Sequence, residues 1–421
     1  MTFRGSTMFP QMTYAQTHMP TMRHAGKIVV VGAGAGGLAT VASLQRRCGS
    51  LDITVIEPSD CHYYQPGWTL VGAGEFQVKN TVRAMEAIWP EGIKRIKGRV
   101  AGFEPDQNQL LLETGETVEY DILVVAPGLA LDWEKIDGLS EALGRNGVTS
   151  NYRYDLAPYT WRLVQEMSGK QAIFTQPQMP IKCAGAPQKA MYLSCDHWRQ
   201  KGLLSGINVT FATATDFLFG CKHYVPPLME YIDRYGIDLQ FQMELTKVDV
   251  DTKTATFKLH KDGQDPSFVE REFDMLHVCP PQSAPEFVKT SPLAHKSGWL
   301  DVDPHSLRHK THENVFGVGD ICGTPNAKTA AAIRNQAPIV AQNILRTLRG
   351  QELISSYAGY GSCPLTVENG KIILAEFGYE GKLMPTFPWD STKTRRSAWL
   401  LKKYILPHVY WRMMLKGREW F

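Results

Sequence analysis

An apolar strand running into a glycine turn and a helix, a second strand–turn–helix unit further along, and a basic, aromatic C-terminus together predict an α/β fold. The expected architecture is two Rossmann-like dinucleotide-binding domains followed by an amphipathic membrane-binding region. At 421 residues the chain suits two or three domains, and 43% hydrophobic content fills ordinary cores. Lysine plus arginine exceed acids by only 45 to 42, which weighs against a nucleic-acid partner. The eight cysteines (48, 61, 183, 195, 221, 279, 322 and 363) are scattered singly. Without a C-x-x-C pair they argue against a disulfide framework and against a metal site. No apolar run reaches the roughly 18 residues of a spanning helix, so none is expected.

Residues 1–26 contain Arg4 and Arg23 and no acid, a weakly transit-like pattern, short and without leucine, that reads equally as a leader without regular structure. The strand Lys27–Val31 then runs into Gly32-Ala33-Gly34-Ala35-Gly36-Gly37, which opens a helix over about 36–48. A second strand, Ile53–Ile56, ends at Glu57. Glycines 32, 34, 36 and 37 permit a tight turn and close backbone approach, the helix N-terminus offers N–H groups to a pyrophosphate, and Glu57 accepts ribose hydroxyls. A strand near 96–103, a hairpin-like stretch 109–120 and the apolar strand Ile122–Val125 complete the first half of this domain, assigned to 27–130 and 275–355.

The second unit, 131–274, is expected to hold strands at 171–175 and 207–213, a helix at 186–201 and an alternating segment at 245–258. Its turn, Gln176 through Pro187, has no second G-x-G-x-x-G, and Pro187 lacks a backbone donor. Cys183 stands there instead. If this unit descends from a nicotinamide site, a thiol has replaced the hydride donor. Lys182 beside it favours thiolate, whereas cysteines 48, 195, 221 and 322 read as small buried hydrophobes. The chain is expected to return to the first domain at Met275–Val278. Val315-Phe316-Gly317-Val318-Gly319-Asp320 is a strand ending in Gly-Asp, suited to the ribityl chain of a flavin, and an alanine-rich helix follows at about 327–347. Two dinucleotide elements nearly 290 residues apart point to FAD, with Lys328 placed to meet negative charge on the flavin ring.

Residues 356–421 form a short aromatic terminal region. Its last 31 residues hold eight Lys/Arg against Glu419 alone. Two amphipathic helices, 397–406 and 409–416, broken by Pro407, are expected to lie in a membrane interface with Trp399, Trp411 and Trp420 at headgroup depth. Phe377, Phe387 and Trp389 read first as core and second as lining for a quinone.

Several long stretches carry a family resemblance: His62-Tyr63-Tyr64-Gln65-Pro66-Gly67-Trp68-Thr69-Leu70-Val71-Gly72-Ala73-Gly74, Lys182-Cys183-Ala184-Gly185-Ala186-Pro187-Gln188-Lys189, Lys328-Thr329-Ala330-Ala331-Ala332 and Tyr360-Gly361-Ser362-Cys363-Pro364-Leu365. In these the chain resembles the sulfide:quinone oxidoreductases, mitochondrial-type branch, flavoproteins built like the FAD/NAD(P)-linked disulfide reductases. The resemblance implies that Cys183 and Cys363 are the redox pair, and that Ala35, Gly36, Glu57, Gln65, Val100, Asp320, Lys328, Thr329, Ala330 and Ala331 contact FAD. It implies two-electron oxidation of hydrogen sulfide through a Cys183/Cys363 disulfide or trisulfide. Electrons then pass to FAD and on to a ubiquinone-like membrane quinone, while the sulfane sulfur goes to a small nucleophile such as glutathione or sulfite. The protein would be a peripheral one, on a bacterial cytoplasmic or mitochondrial inner membrane. Cys279 stands where the family pattern leads us to expect a non-thiol. The rival readings are a type II NADH:quinone dehydrogenase, which needs the missing second glycine fingerprint, and a non-enzymatic FAD-binding membrane protein.

Overall fold

The computed structural model describes residues 26–260, 265–353 and 356–419. The expected leader, apart from Gly26, and Trp420 lie outside the described residues. The first sheet has five parallel strands in the spatial order Val315–Gly317, Ile122–Val125, Lys27–Val31, Asp52–Ile56, Lys94–Ile96. Its central strands are β-branched and buried on both faces, as parallel sheets require. Alternation sorts their side chains. Ile28 and Val30 join a core with Leu38 and Leu44 of the helix Ala35–Arg47 and with Val340 and Ile344 of the helix Ala330–Leu348. Val29 and Val31 face the other way, onto Phe103, Leu110 and Val118. Those come from a three-stranded antiparallel sheet, Val100–Glu104, Gln109–Leu112 and Thr117–Glu119.

The second sheet repeats this plan. Its five parallel strands run in the order Val148–Thr149, Met275–His277, Lys170–Gln176, Ile207–Thr213, Asp238–Gln240. Phe174 and Phe211 pack on Met191 and Trp198 of the helix Ala186–Gln200, while Ile173 and Ala212 face Val248 and Phe257 of a second antiparallel sheet. Met275–His277 therefore belongs to the second sheet, and the return to the first unit comes after it. A short buried apolar strand fits either parallel sheet, so its composition does not choose between them. The two crossings lie side by side, Ala130–Leu131 pairing antiparallel with Gln282–Ser283.

The terminal region docks on both units. The hairpin Gly361–Glu368/Lys371–Phe377 packs its Cys363, Leu365 and Ile373 into the core of the second unit. The final helix runs from Arg396 to Arg412 without the break expected at Pro407. A π-turn over Leu401–Ile405, with Leu406 N–H bonded to Leu401 O, widens the rod just ahead of the proline. A proline ring clashes with the carbonyl four residues back in a regular α-helix, and the wider turn relieves that clash. Trp399 and Trp411 are buried, against the expectation that they sit at a membrane interface. The outward positions are Leu400, Tyr404 and Ile405, at 53%, 61% and 45% exposure. Amphipathic spacing defines two faces; it does not say which one meets the protein.

Candidate active site

Two elements bring the sulfurs together. The strand Lys170–Gln176 leads through a loop to the helix Ala186–Gln200, and Cys183 sits in that loop at φ +53°, a left-handed conformation that non-glycine residues adopt at a cost. The loop is pinned: Cys183 N–H donates to Lys328 O at 2.9 Å, and Ala186 N–H to Cys183 O at 2.7 Å. Cys363 arrives from the terminal hairpin. A Cβ on Gly185 would stand 2.6 Å from Cys363 Sγ, so only glycine admits this approach. The two Sγ atoms lie 3.6 Å apart across 180 residues of sequence.

Electrostatics divides the pair. Lys189, in the first turn of the helix after the loop, is buried and donates from Nζ to Cys183 Sγ at 3.0 Å. Hydrogen bonding from Cys363 first, and then the Lys189 ammonium, hold the Cys183 thiol far below its ordinary range against the opposing effect of burial. The same contact and burial push Cys363 far up. Cys183 is thus the thiolate and Cys363 the thiol. Burial opposes charge on Lys189, but the neighbouring sulfurs outweigh it and keep the amine protonated. Lys402, from the π-turn, is the second buried lysine here; burial and then the Lys189 charge bring it down to about 7.

Cys183 lines a cavity of about 920 Å³; Cys363 is buried off its wall, between the lining residues Ser362 and Pro364. Gly34, Ala35, Gly36 and Glu57 line one end; Gln65, Asp320 and Lys328 through Ala331 line it further in, near Cys183. Gly32 and Gly37 stand behind the wall, where a Cβ on Gly37 would fall 1.8 Å from Gly32 O. Val100 begins the strand Val100–Glu104, buried and away from the wall. Lys328 differs from expectation. Its ammonium donates to the carbonyls of Asp320 (2.6 Å) and Cys322 (2.9 Å) and lies 4.0 Å from the Trp299 ring centre. A buried ammonium needs acceptors and has taken the nearest, so the positive end of the helix starting at Ala330 faces the cavity in its place. Lys182 likewise turns away from Cys183, its Nζ donating to Gln65 Oε1 at 2.5 Å.

Of the aromatics, Phe387 lines the cavity with Trp389 stacked behind it at 4.3 Å, whereas Phe377 packs edge-on against Phe219. Cys279 and Cys322 are buried thiols pushed up to about 12 by desolvation, and Cys195 is pushed up further for the same reason. Cys221 is buried too, but Cys48 is only half-buried, which departs from its reading as a core residue. Sequence reasoning missed Lys189, Lys402 and His62. Lys189 had a signal, six residues after Cys183 at a helix start. Lys402 had none beyond a basic run that reads as a membrane interface.

The pyridine nucleotide-disulphide oxidoreductase family matches residues 26–171. Over 94% of its length the chain is 39% identical to the mitochondrial sulfide:quinone oxidoreductase of Mus musculus, covering 88% of that protein. Against the mitochondrial sulfide:quinone oxidoreductase of Dictyostelium discoideum it is 40% identical over 95%, again covering 88% of the relative. The X-ray structure of the sulfide:quinone oxidoreductase from Aquifex aeolicus superposes with a TM-score of 0.77 at 19% identity, over 93% of this chain and 92% of that one, a likeness of fold. The chain belongs to the sulfide:quinone oxidoreductase family.

Proposed function

We propose that this protein oxidises hydrogen sulfide at Cys183 and Cys363 and delivers the electrons through FAD to a membrane quinone. The observation that carries the reading is the 3.6 Å sulfur pair, with a buried lysine on one sulfur, Cys183, that lines the same cavity as the glycine turn.

The residues present fit FAD. The N-cap Gly34 of Ala35–Arg47 supplies no side-chain cap, and a Cβ there would meet nothing within 4 Å, so the first helical N–H groups stand open to a pyrophosphate. Glu57 Oε2 and Oε1 accept from the N–H groups of Ala33 and Ser59 at 2.7 Å each. This fixes the carboxylate with lone pairs left for ribose hydroxyls. Asp320 and the helix start at Thr329–Ala331 line the same cavity and would hold the ribityl chain and ring. Bound FAD would supply the two-electron acceptor.

Every other step belongs to the chain. Starting from an oxidised bridge, hydrosulfide attacks the Cys363 sulfur; the bond to the Cys183 side breaks and Cys183 leaves as a thiolate. Lys189 holds that charge, which makes Cys183 the better leaving group. Cys363 now carries a persulfide. A small nucleophile, glutathione or sulfite, takes the outer sulfur, and the proton the persulfide carried stays on Cys363, which is left as the thiol. Closing the bridge from the Cys183 thiolate and the Cys363 thiol releases one proton and one electron pair. Two S–S bonds of about 2.05 Å place the outer atoms of a trisulfide a little over 3 Å apart, so the 3.6 Å gap also accommodates a sulfane sulfur between the cysteines.

The exposed Leu400, Tyr404 and Ile405, on a segment rich in lysine and arginine, fit a lipid interface. Among the described residues no helix is long and apolar enough to cross a membrane. The reading is therefore a peripheral protein of the mitochondrial inner or bacterial cytoplasmic membrane, taking a ubiquinone-like quinone beside Phe387. Anaerobic sulfide should bleach the flavin absorbance, and a soluble quinone should restore it. Bleaching by NADH in its place would favour the dehydrogenase reading, and bound FAD inert to both would leave a flavin-binding protein without this activity.

A further inference from the structure

Tyr410, in the last helical segment, donates its hydroxyl to His62 Nε2 at 2.6 Å, and His62 Nδ1 lies 3.0 Å from Ala33 O. A carbonyl only accepts, so Nδ1 carries the proton and Nε2 is left to take the tyrosine's. Ala33 is the second residue of the glycine turn, and its own N–H is held by Glu57. The chain of bonds thus runs from the C-terminus to the backbone that cradles a dinucleotide. All three residues are buried, and burial holds His62 neutral, at about 4.

Other contacts reinforce this seat. Glu419 accepts from Arg47 Nη2 and from Ser43 Oγ, both at 2.8 Å, on the helix that springs from the turn. Met414 and Leu415 join the same core as Leu38 and Leu44. Tyr410 and Met414 also line the cavity. Earlier along the same rod Leu400, Tyr404 and Ile405 are exposed on its outer side. One continuous element therefore has its outer side in solvent and its inner side on the cofactor turn.

We propose that residues 406–419 are a clasp that holds the glycine turn in its FAD-binding shape, and that lipid contact at 400–405 tightens the clasp, so that FAD retention and membrane docking are linked. The second half rests on the membrane reading above. If the seated clasp binds both FAD and lipid better than an unseated one, linkage requires each to strengthen the other.

FAD-loaded full-length protein decides this. FAD release is followed as the rise of free-flavin fluorescence after dilution, with and without phosphatidylcholine/phosphatidylglycerol vesicles, and flotation reports docking in the same samples. Tyr410→Phe should release FAD about tenfold faster, the equivalent of about 1.4 kcal/mol. The control Val340→Ala, a buried deletion in the same core that touches none of the bonds from Tyr410 to the turn, should leave the release rate unchanged. Vesicles should slow release several-fold for the unmodified protein. The triple variant Leu400→Ser, Tyr404→Ser, Ile405→Ser should neither float nor respond to vesicles, while releasing FAD in buffer at the unmodified rate. Release unchanged by Tyr410→Phe, or equally accelerated by Val340→Ala, overturns the clasp. Protein that floats but loses FAD as fast as when free overturns the link alone. Failure to float defeats the membrane reading and the link, with the Tyr410→Phe arm still deciding the clasp.

Discussion

The two α/β units share a plan of five parallel strands, a helix after the central strand and an antiparallel sheet behind, yet their first turns do opposite things. In the first, Gly32 through Gly37 remove side chains so that backbone N–H groups face the cavity. In the second, Pro187 sits at the helix start, Cys183 takes a left-handed conformation in the loop, and Lys189 follows one turn on. The position that presents an open glycine backbone in one unit presents a sulfur and a cation in the other. A shared fold has been given two chemistries by the residues of a single turn.

The most damaging way to test that contrast is Cys183→Ser. Sulfide-dependent flavin reduction should fall by at least about 10³-fold, since removing one member of a unit that acts together costs nearly the whole effect. FAD content, read from the absorbance spectrum, should stay normal, because the first turn is untouched. Ordinary turnover would sink the sulfur assignment.

Lys189→Met is the next step down. It removes the cation 3.0 Å from Cys183 Sγ and leaves the sulfur its hydrogen bond from Cys363. Without that charge the Cys183 thiolate is harder to form and a poorer leaving group, so sulfide-dependent flavin reduction should slow by about 10-fold at neutral pH. The rate should recover as pH rises and thiolate forms. A profile that keeps its position would transfer the role to Lys402, the other buried lysine beside the pair.

Glycines 37 and 185 sharpen the comparison further. Both are required by close approach, but the first meets backbone of its own unit and the second meets Cys363 Sγ from the terminal hairpin. Gly185→Ala should cost about 1–3 kcal/mol of stability as an overpacked site. It should also slow bridge closure by forcing the sulfurs apart, which rapid-mixing absorbance measures. Unchanged closure would mean that the hairpin yields without disturbing the pair.

How much of this was legible in the sequence follows from range. The first turn is a local backbone device, and its glycines, strand and terminal Glu57 lie within about 30 residues, so the sequence displays it whole. The sulfur pair depends on a hairpin 180 residues away, and no spacing rule links the two; only family resemblance did. Lys402, Trp399 and Trp411 were misread for a different reason. Their helix has the right period, but a basic, aromatic rod is equally suited to lipid or to a cavity wall. Tertiary packing put Lys402 on the cavity wall, buried Trp399 and Trp411 in the cores, and left Leu400, Tyr404 and Ile405 outside. The Met275–His277 strand slipped between sheets because both sheets want the same buried residues.

The smallest effect compares one buried histidine in each unit. His62 links the glycine turn to the last helix, and His277 accepts the Asn151 N–H in the second sheet; burial brings both down to about 4 from 6.5. Since the unfolded chain takes up these protons first, stability is whole above about pH 6.5 and declines as pH falls toward 4. Between pH 6.5 and 5.5 each histidine should remove about 1 kcal/mol, read as a falling urea midpoint. His62→Gln, with an amide to donate to Ala33 O and an oxygen to accept from Tyr410, should flatten about half of that slope. An acid slope left intact by His62→Gln would place the proton uptake elsewhere, and would show that the first unit does not share the second unit's sensitivity.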